Sequence, residues 1–112
     1  MRTQQFMFRK GEVLKPPTFD FEPQLILVFG ARSILEHQSL FTQIRESHPG
    51  VAFAGCSTSG EITNNSVTDD SLSLTAVYFQ KTSVHSFCQS VQDSSESFET
   101  GKTLGNELSK DK

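Results

Sequence analysis

Five consecutive apolar residues, Leu25, Ile26, Leu27, Val28 and Phe29, closed at once by Gly30, constrain this chain more than any other stretch. A strand with one wet face alternates apolar and polar residues. A strand that is apolar at every position is buried on both faces, as central parallel strands are. Residues 51–56 (VAFAGC) form a second run of this kind, in which Ala52, Ala54 and Gly55 leave space for a close neighbour or a ligand. Between the two runs, Ile34, Leu35, Leu40, Phe41 and Ile44 recur at helical spacing. Ser33 and Glu36 have the form of a capping box, and Pro49-Gly50 stops the pattern. The prediction is a β-α-β unit with parallel strands near 25–29 and 51–56 and a helix near 34–48.

The flanking segments complete an α/β reading with a mixed sheet. Residues 4–9 alternate weakly around Phe6 and Phe8 and predict a short edge strand. Residues 11–23 contain Pro16, Pro17 and Pro23, which excludes a helix and makes an extended connector. Phe19 and Phe21 lie two apart on it, with both rings on one surface. Further on, Leu72, Leu74, Ala76 and Tyr78 alternate along residues 72–79, and a polar turn at Gln80-Lys81-Thr82 precedes residues 84–91. That pattern predicts a later antiparallel hairpin, 72–79 with 84–91. Asp93 and the residues after it open a last helix, with Phe98, Leu104 and Leu108 facing inward. A length of 112 residues fits one domain, or a fragment of a larger one.

Composition narrows the function classes. Net charge is -3 and the ten Lys and Arg residues are scattered, so no basic stripe is present for a phosphate backbone and no nucleic-acid partner is expected. No apolar run has membrane-spanning length, and the first residues lack the apolar stretch of a signal peptide. A cytoplasmic protein with no membrane partner is the default expectation. Cys56 and Cys88 make no disulfide framework and are expected as free thiols. His37, His48 and His85 stand apart, without zinc spacing, so no metal site is expected.

The residues richest in chemistry follow the second buried run: Gly55, Cys56, Ser57, Thr58, Ser59, Gly60 and Glu61. In open α/β sheets ligands bind at the carboxyl ends of the strands, where this loop falls. The hydroxyls of Ser57, Thr58 and Ser59 donate hydrogen bonds, and Gly60 lets successive N–H groups converge on an anion. Glu61 adds a carboxylate suited to an ammonium group. The set fits a zwitterion such as an amino acid, its carboxylate on the N–H groups and its ammonium on Glu61. The plain alternative is a polar turn that merely leaves a strand. Enzyme readings fit less well, and no catalytic residue is expected. The second glycine comes one residue too late for a nucleophile elbow. No arginine follows Cys56 to hold phosphate, and no Gly-Lys-Ser/Thr ending is present. Cys56 as a nucleophile would need a base, for which His85 is the one downstream candidate. Residues 57–70 as a whole are polar, a functional loop or a disordered one.

The apolar run 25–29, a helix, and then Gly55-Cys56-Ser57-Thr58-Ser59-Gly60-Glu61-Ile62 resemble the N-terminal part of the FIST domain over about residues 24–91. The GCSTSGEI stretch is the more specific part of the match. The resemblance implies a sensory domain of signal-transduction proteins that binds a small ligand, with amino acids proposed, and that signals to a partner such as a histidine kinase. Some relatives are haem proteins that sense nitric oxide, so the resemblance admits haem as a cofactor, although no histidine here matches a ligating position. It nominates Gly55, Cys56, Ser57, Thr58, Gly60 and Glu61. The chain departs from the family pattern in the proline-bearing connector at 11–23, where members usually carry a helix. It also departs in length, since the family domain normally runs on further. A fragment would expose sheet edges and could form a homodimer through them. An interaction domain without a small ligand is the remaining alternative.

Overall fold

The structure, a computed structural model, describes residues 1–11, 14–36, 38–58, 61–63, 66–68 and 70–110, with backbone alone for 61–63 and 66–68. Four strands form the main sheet: β1 (Arg2–Arg9), β2 (Leu25–Gly30), β3 (Ala52–Ser57) and β6 (Ser71–Tyr78). Their order across the sheet is β1-β6-β2-β3. The expected β-α-β unit is present, with β2 and β3 parallel and Val28 opposite Gly55. β6 runs antiparallel to both β1 and β2. The sheet is therefore mixed, as the sequence predicts.

One face of the sheet carries Phe6 and Phe8 from β1, Leu72, Leu74 and Ala76 from β6, and Ile26 and Val28 from β2, in register. Against it pack Ile34 from α1 (Arg32–Leu35) and Leu40 and Ile44 from α2 (Gln38–Ser47). Ile26, Leu40, Leu72 and Leu74 are fully enclosed. Phe19 and Phe21 reach the same core from the connector. Phe19 meets Phe6 edge-on at 5.7 Å and His48 at 5.3 Å, and Phe21 lies against Tyr78. His48 also bonds through Nδ1 to Glu22 Oε1 at 2.6 Å, which ties the connector to the end of α2.

Four expectations need correction. The runs 25–29 and 51–56 are not buried on both faces: Phe29 is exposed, as are Ala54, Gly55 and Cys56, because β3 is a border strand. Residues 84–91 form no strand, so there is no hairpin with 72–79. Both edges of β6 are already hydrogen-bonded, one to β1 and one to β2, which leaves no ladder for a sequence neighbour. Ser33 and Glu36 make no capping box. The helix starts at Ala31, whose carbonyl accepts from the N–H groups of Ile34 and Leu35, and Glu36 takes the Nε of Arg32 at 3.0 Å instead. Finally, α3 (Ser97–Ser109) has no fully buried residue, and of its apolar stripe Leu104 alone is half-buried. Asp93 does accept from the N–H of Ser95 at its start, but Phe98 stays 78% exposed and Leu108 54%.

The polar stretch 57–70 is more regular than expected. β4 (Glu61–Thr63) and β5 (Ser66–Thr68) pair antiparallel as a separate two-stranded hairpin, with Glu61 opposite Thr68.

Candidate functional site

The end of β3 is built by two glycines. A Cβ on Gly55 would lie 1.7 Å from the Val28 carbonyl oxygen, and its φ of +155° already disfavours an L side chain. A Cβ on Gly30 would lie 2.7 Å from the Ser71 carbonyl oxygen and 2.8 Å from Leu72 Cα. Glycine at both positions lets β3 close on β2 and β2 close on β6 where the strands end. Ser57 pairs with Gly30, and the Thr58 N–H donates to the Gly30 carbonyl at 3.0 Å. That N–H is spent on the sheet rather than left for an anion.

β3 borders the sheet on its far side from β2, and Ala54, Gly55, Cys56 and Ser57 are exposed there. A cleft of about 720 Å³ runs along this border, a volume in the range of small-ligand sites. Gly55 and Cys56 line it on the strand side. Gln38, Phe41, Thr42 and Arg45 line it from α2, and Phe87 and Cys88 from the segment after β6. The Phe41 and Phe53 rings meet edge-to-face at 6.0 Å and 84°. The Arg45 guanidinium lies over the Phe53 ring, 5.0 Å from its centre. This contact holds a planar, permanently charged donor group at the cleft wall. Cys56 and Cys88 are both exposed free thiols.

Of the residues singled out in the sequence, the cleft gathers Gly55 and Cys56. Ser57 closes β3, Thr58 follows it, and Glu61 opens β4. Ser59 and Gly60 lie outside the described residues, as does the Glu61 side chain, so the expected ring of N–H groups and carboxylate falls mostly there. Sequence reasoning missed the helix wall. Its signal was available: Gln38, Phe41, Thr42 and Arg45 stand at i, i+3, i+4 and i+7, one helical face. A smaller cleft of about 400 Å³ lies elsewhere, lined by Arg9, Lys10, Leu14, Ser33 and Ser39 among others.

The cleft lies along the carboxyl-terminal half of a parallel strand, the end at which open α/β sheets commonly bind ligands. The family model for the FIST N domain matches residues 24–112, and the chain belongs to that family. The match extends past the region of resemblance seen in the sequence, through α3. Membership carries the coarse functional class, a sensory domain of signal transduction. No curated protein and no solved structure matches the chain. Among the described residues no helix is long and apolar enough to cross a membrane.

Proposed function

We propose that this chain is the small-ligand-binding part of a sensory system, and that the ligand sits in the cleft between α2 and β3. The observation that carries this reading is the convergence of Gly55 and Cys56, from the motif typical of the family, with Arg45 and the Phe41–Phe53 pair around one cleft of about 720 Å³. A cation, an aromatic wall and a strand end with no side chain at Gly55 suit a small molecule that has a carboxylate and a compact apolar body. An amino acid fits that description. Its carboxylate is taken by Arg45, in two parallel N–H···O bonds, rather than by the N–H of Thr58. For its ammonium the motif offers the Glu61 carboxylate, which lies outside the described residues. Binding, and not catalysis, is the role assigned to Cys56. The occupied cleft then signals to a partner protein such as a histidine kinase.

Thermal unfolding across a panel of amino acids tests this. One or more members raise the midpoint of the wild type by several degrees at saturating concentration, and the rise is lost in Arg45→Gln. A panel without effect on the wild type contradicts the reading. A Soret band on haem addition would redirect it to a haem-based gas sensor on the same scaffold.

A further inference from the structure

The two cysteines line the same cleft, Cys56 from β3 and Cys88 from the segment that follows β6. Both are exposed and neither is bonded. Their supports differ in stiffness. β3 is held along its length by β2, whereas residues 79–93 contain no helix or strand. A segment without a backbone ladder moves at low free-energy cost. We infer that Cys56 and Cys88 are a redox pair, and that peroxide joins them in a disulfide that straps this segment across the cleft.

The chain geometry permits the closure. Gln24 anchors both sides: its carbonyl accepts from the Ala52 N–H at 3.0 Å, and its side chain donates to the Thr82 carbonyl at 3.3 Å. From Ala52 to Cys56 the strand climbs four residues, about 13 Å. From Thr82 to Cys88 the chain runs six residues, with a reach of about 20 Å. The tether therefore does not hold Cys88 away from Cys56. The remaining approach, to Cα atoms about 5.5 Å apart, is a movement of the irregular segment alone.

The chemistry balances in two steps. One thiolate attacks a peroxide oxygen, the O–O bond breaks, and a sulfenic acid and water result once the leaving hydroxide is protonated. The second thiol then attacks the sulfenic sulfur, an S–S bond forms, and a second water leaves. Two thiols are oxidised by two electrons and one hydrogen peroxide is reduced. Because the bridge crosses the mouth that the proposed ligand enters, it couples redox state to ligand access. That coupling rests on the ligand reading, but the bridge itself does not.

Intact-mass measurement on the full chain treated with stoichiometric hydrogen peroxide decides the matter. The expected product is a monomer lighter by about two hydrogens, with both thiols lost to titration and both restored by dithiothreitol. In Cys88→Ser the same treatment leaves Cys56 as a sulfenic acid, trapped by dimedone with a mass gain. Stable oxygen adducts on the wild type, a disulfide-linked dimer, or two thiols that survive treatment would each overturn the pairing. These readouts need no ligand, so a failed amino-acid panel and a failed bridge are separate results.

Discussion

At the residue scale the site depends on what two glycines omit. Gly55→Ala would drive a Cβ into the Val28 carbonyl, 1.7 Å away, and both partners are backbone atoms of paired strands. Neither can step aside without breaking the β2–β3 ladder. The expected loss of stability is at least about 3 kcal/mol, read from denaturant midpoints. Gly30→Ala meets the Ser71 carbonyl and Leu72 Cα at 2.7 and 2.8 Å and should be destabilising by less. Gly50→Ala meets nothing within 4 Å and serves as the control, within about 0.5 kcal/mol of wild type. Equal effects at Gly55 and Gly50 would refute the close approach at the end of β3. Gly30 was visible in the sequence as the residue that ends an apolar run, and Gly55 as one that leaves space for a close neighbour or a ligand. Which neighbours come so close was not visible, because they lie some 25 and 40 residues away along the chain.

At the element scale, legibility followed locality. The β-α-β unit was legible because it is written in two continuous apolar runs and one helical stripe, each a local pattern. The hairpin of 72–79 with 84–91 was misread for the complementary reason. A short polar turn argues for pairing with the next segment, but the winning partner of β6 is β1, at the other end of the chain. Nothing local announces a pairing between Phe6 and Leu74. The helix wall of the cleft was missed because Phe41 was assigned wholly to the core, and Arg45 lay one turn beyond it, unassigned. α3 shows the reverse error: its apolar spacing is real, yet a stripe states only what a helix can bury. Two substitutions separate these cases. Leu74→Ala, at a fully buried position of β6, should cost about 2–5 kcal/mol. Phe98→Ala on α3, at 78% exposure, should fall within about 0.5 kcal/mol of wild type. A large loss for Phe98→Ala in the same denaturant series would mean that α3 packs on the domain.

At the scale of the whole molecule, the sheet has β1 at one border and β3 at the other. The two borders differ in their protection. β1 carries Arg2 and Arg9, charges that discourage edge-to-edge pairing, while β3 (AFAGCS) carries none. An uncharged border strand is a template for a second strand, so the chain should self-associate as concentration rises. Ala54→Lys should shift it toward the monomer by size-exclusion chromatography with light scattering. A wild type that is monomeric at every concentration would show that the β3 border is not used this way.

The same border is where sensing is placed, between a strand end held open by Gly55 and a helix face that presents Arg45. Chemical-shift mapping on the isotope-labelled chain, titrated with the amino acid that most raises its unfolding temperature, tests that placement most directly. The backbone amides of Thr42, Arg45, Gly55 and Cys56 should move together and saturate with one dissociation constant, and Arg45→Gln should abolish the response. Shifts confined to Arg9, Lys10 and Ser33 around the smaller cleft, or no saturable shift at all, would contradict it.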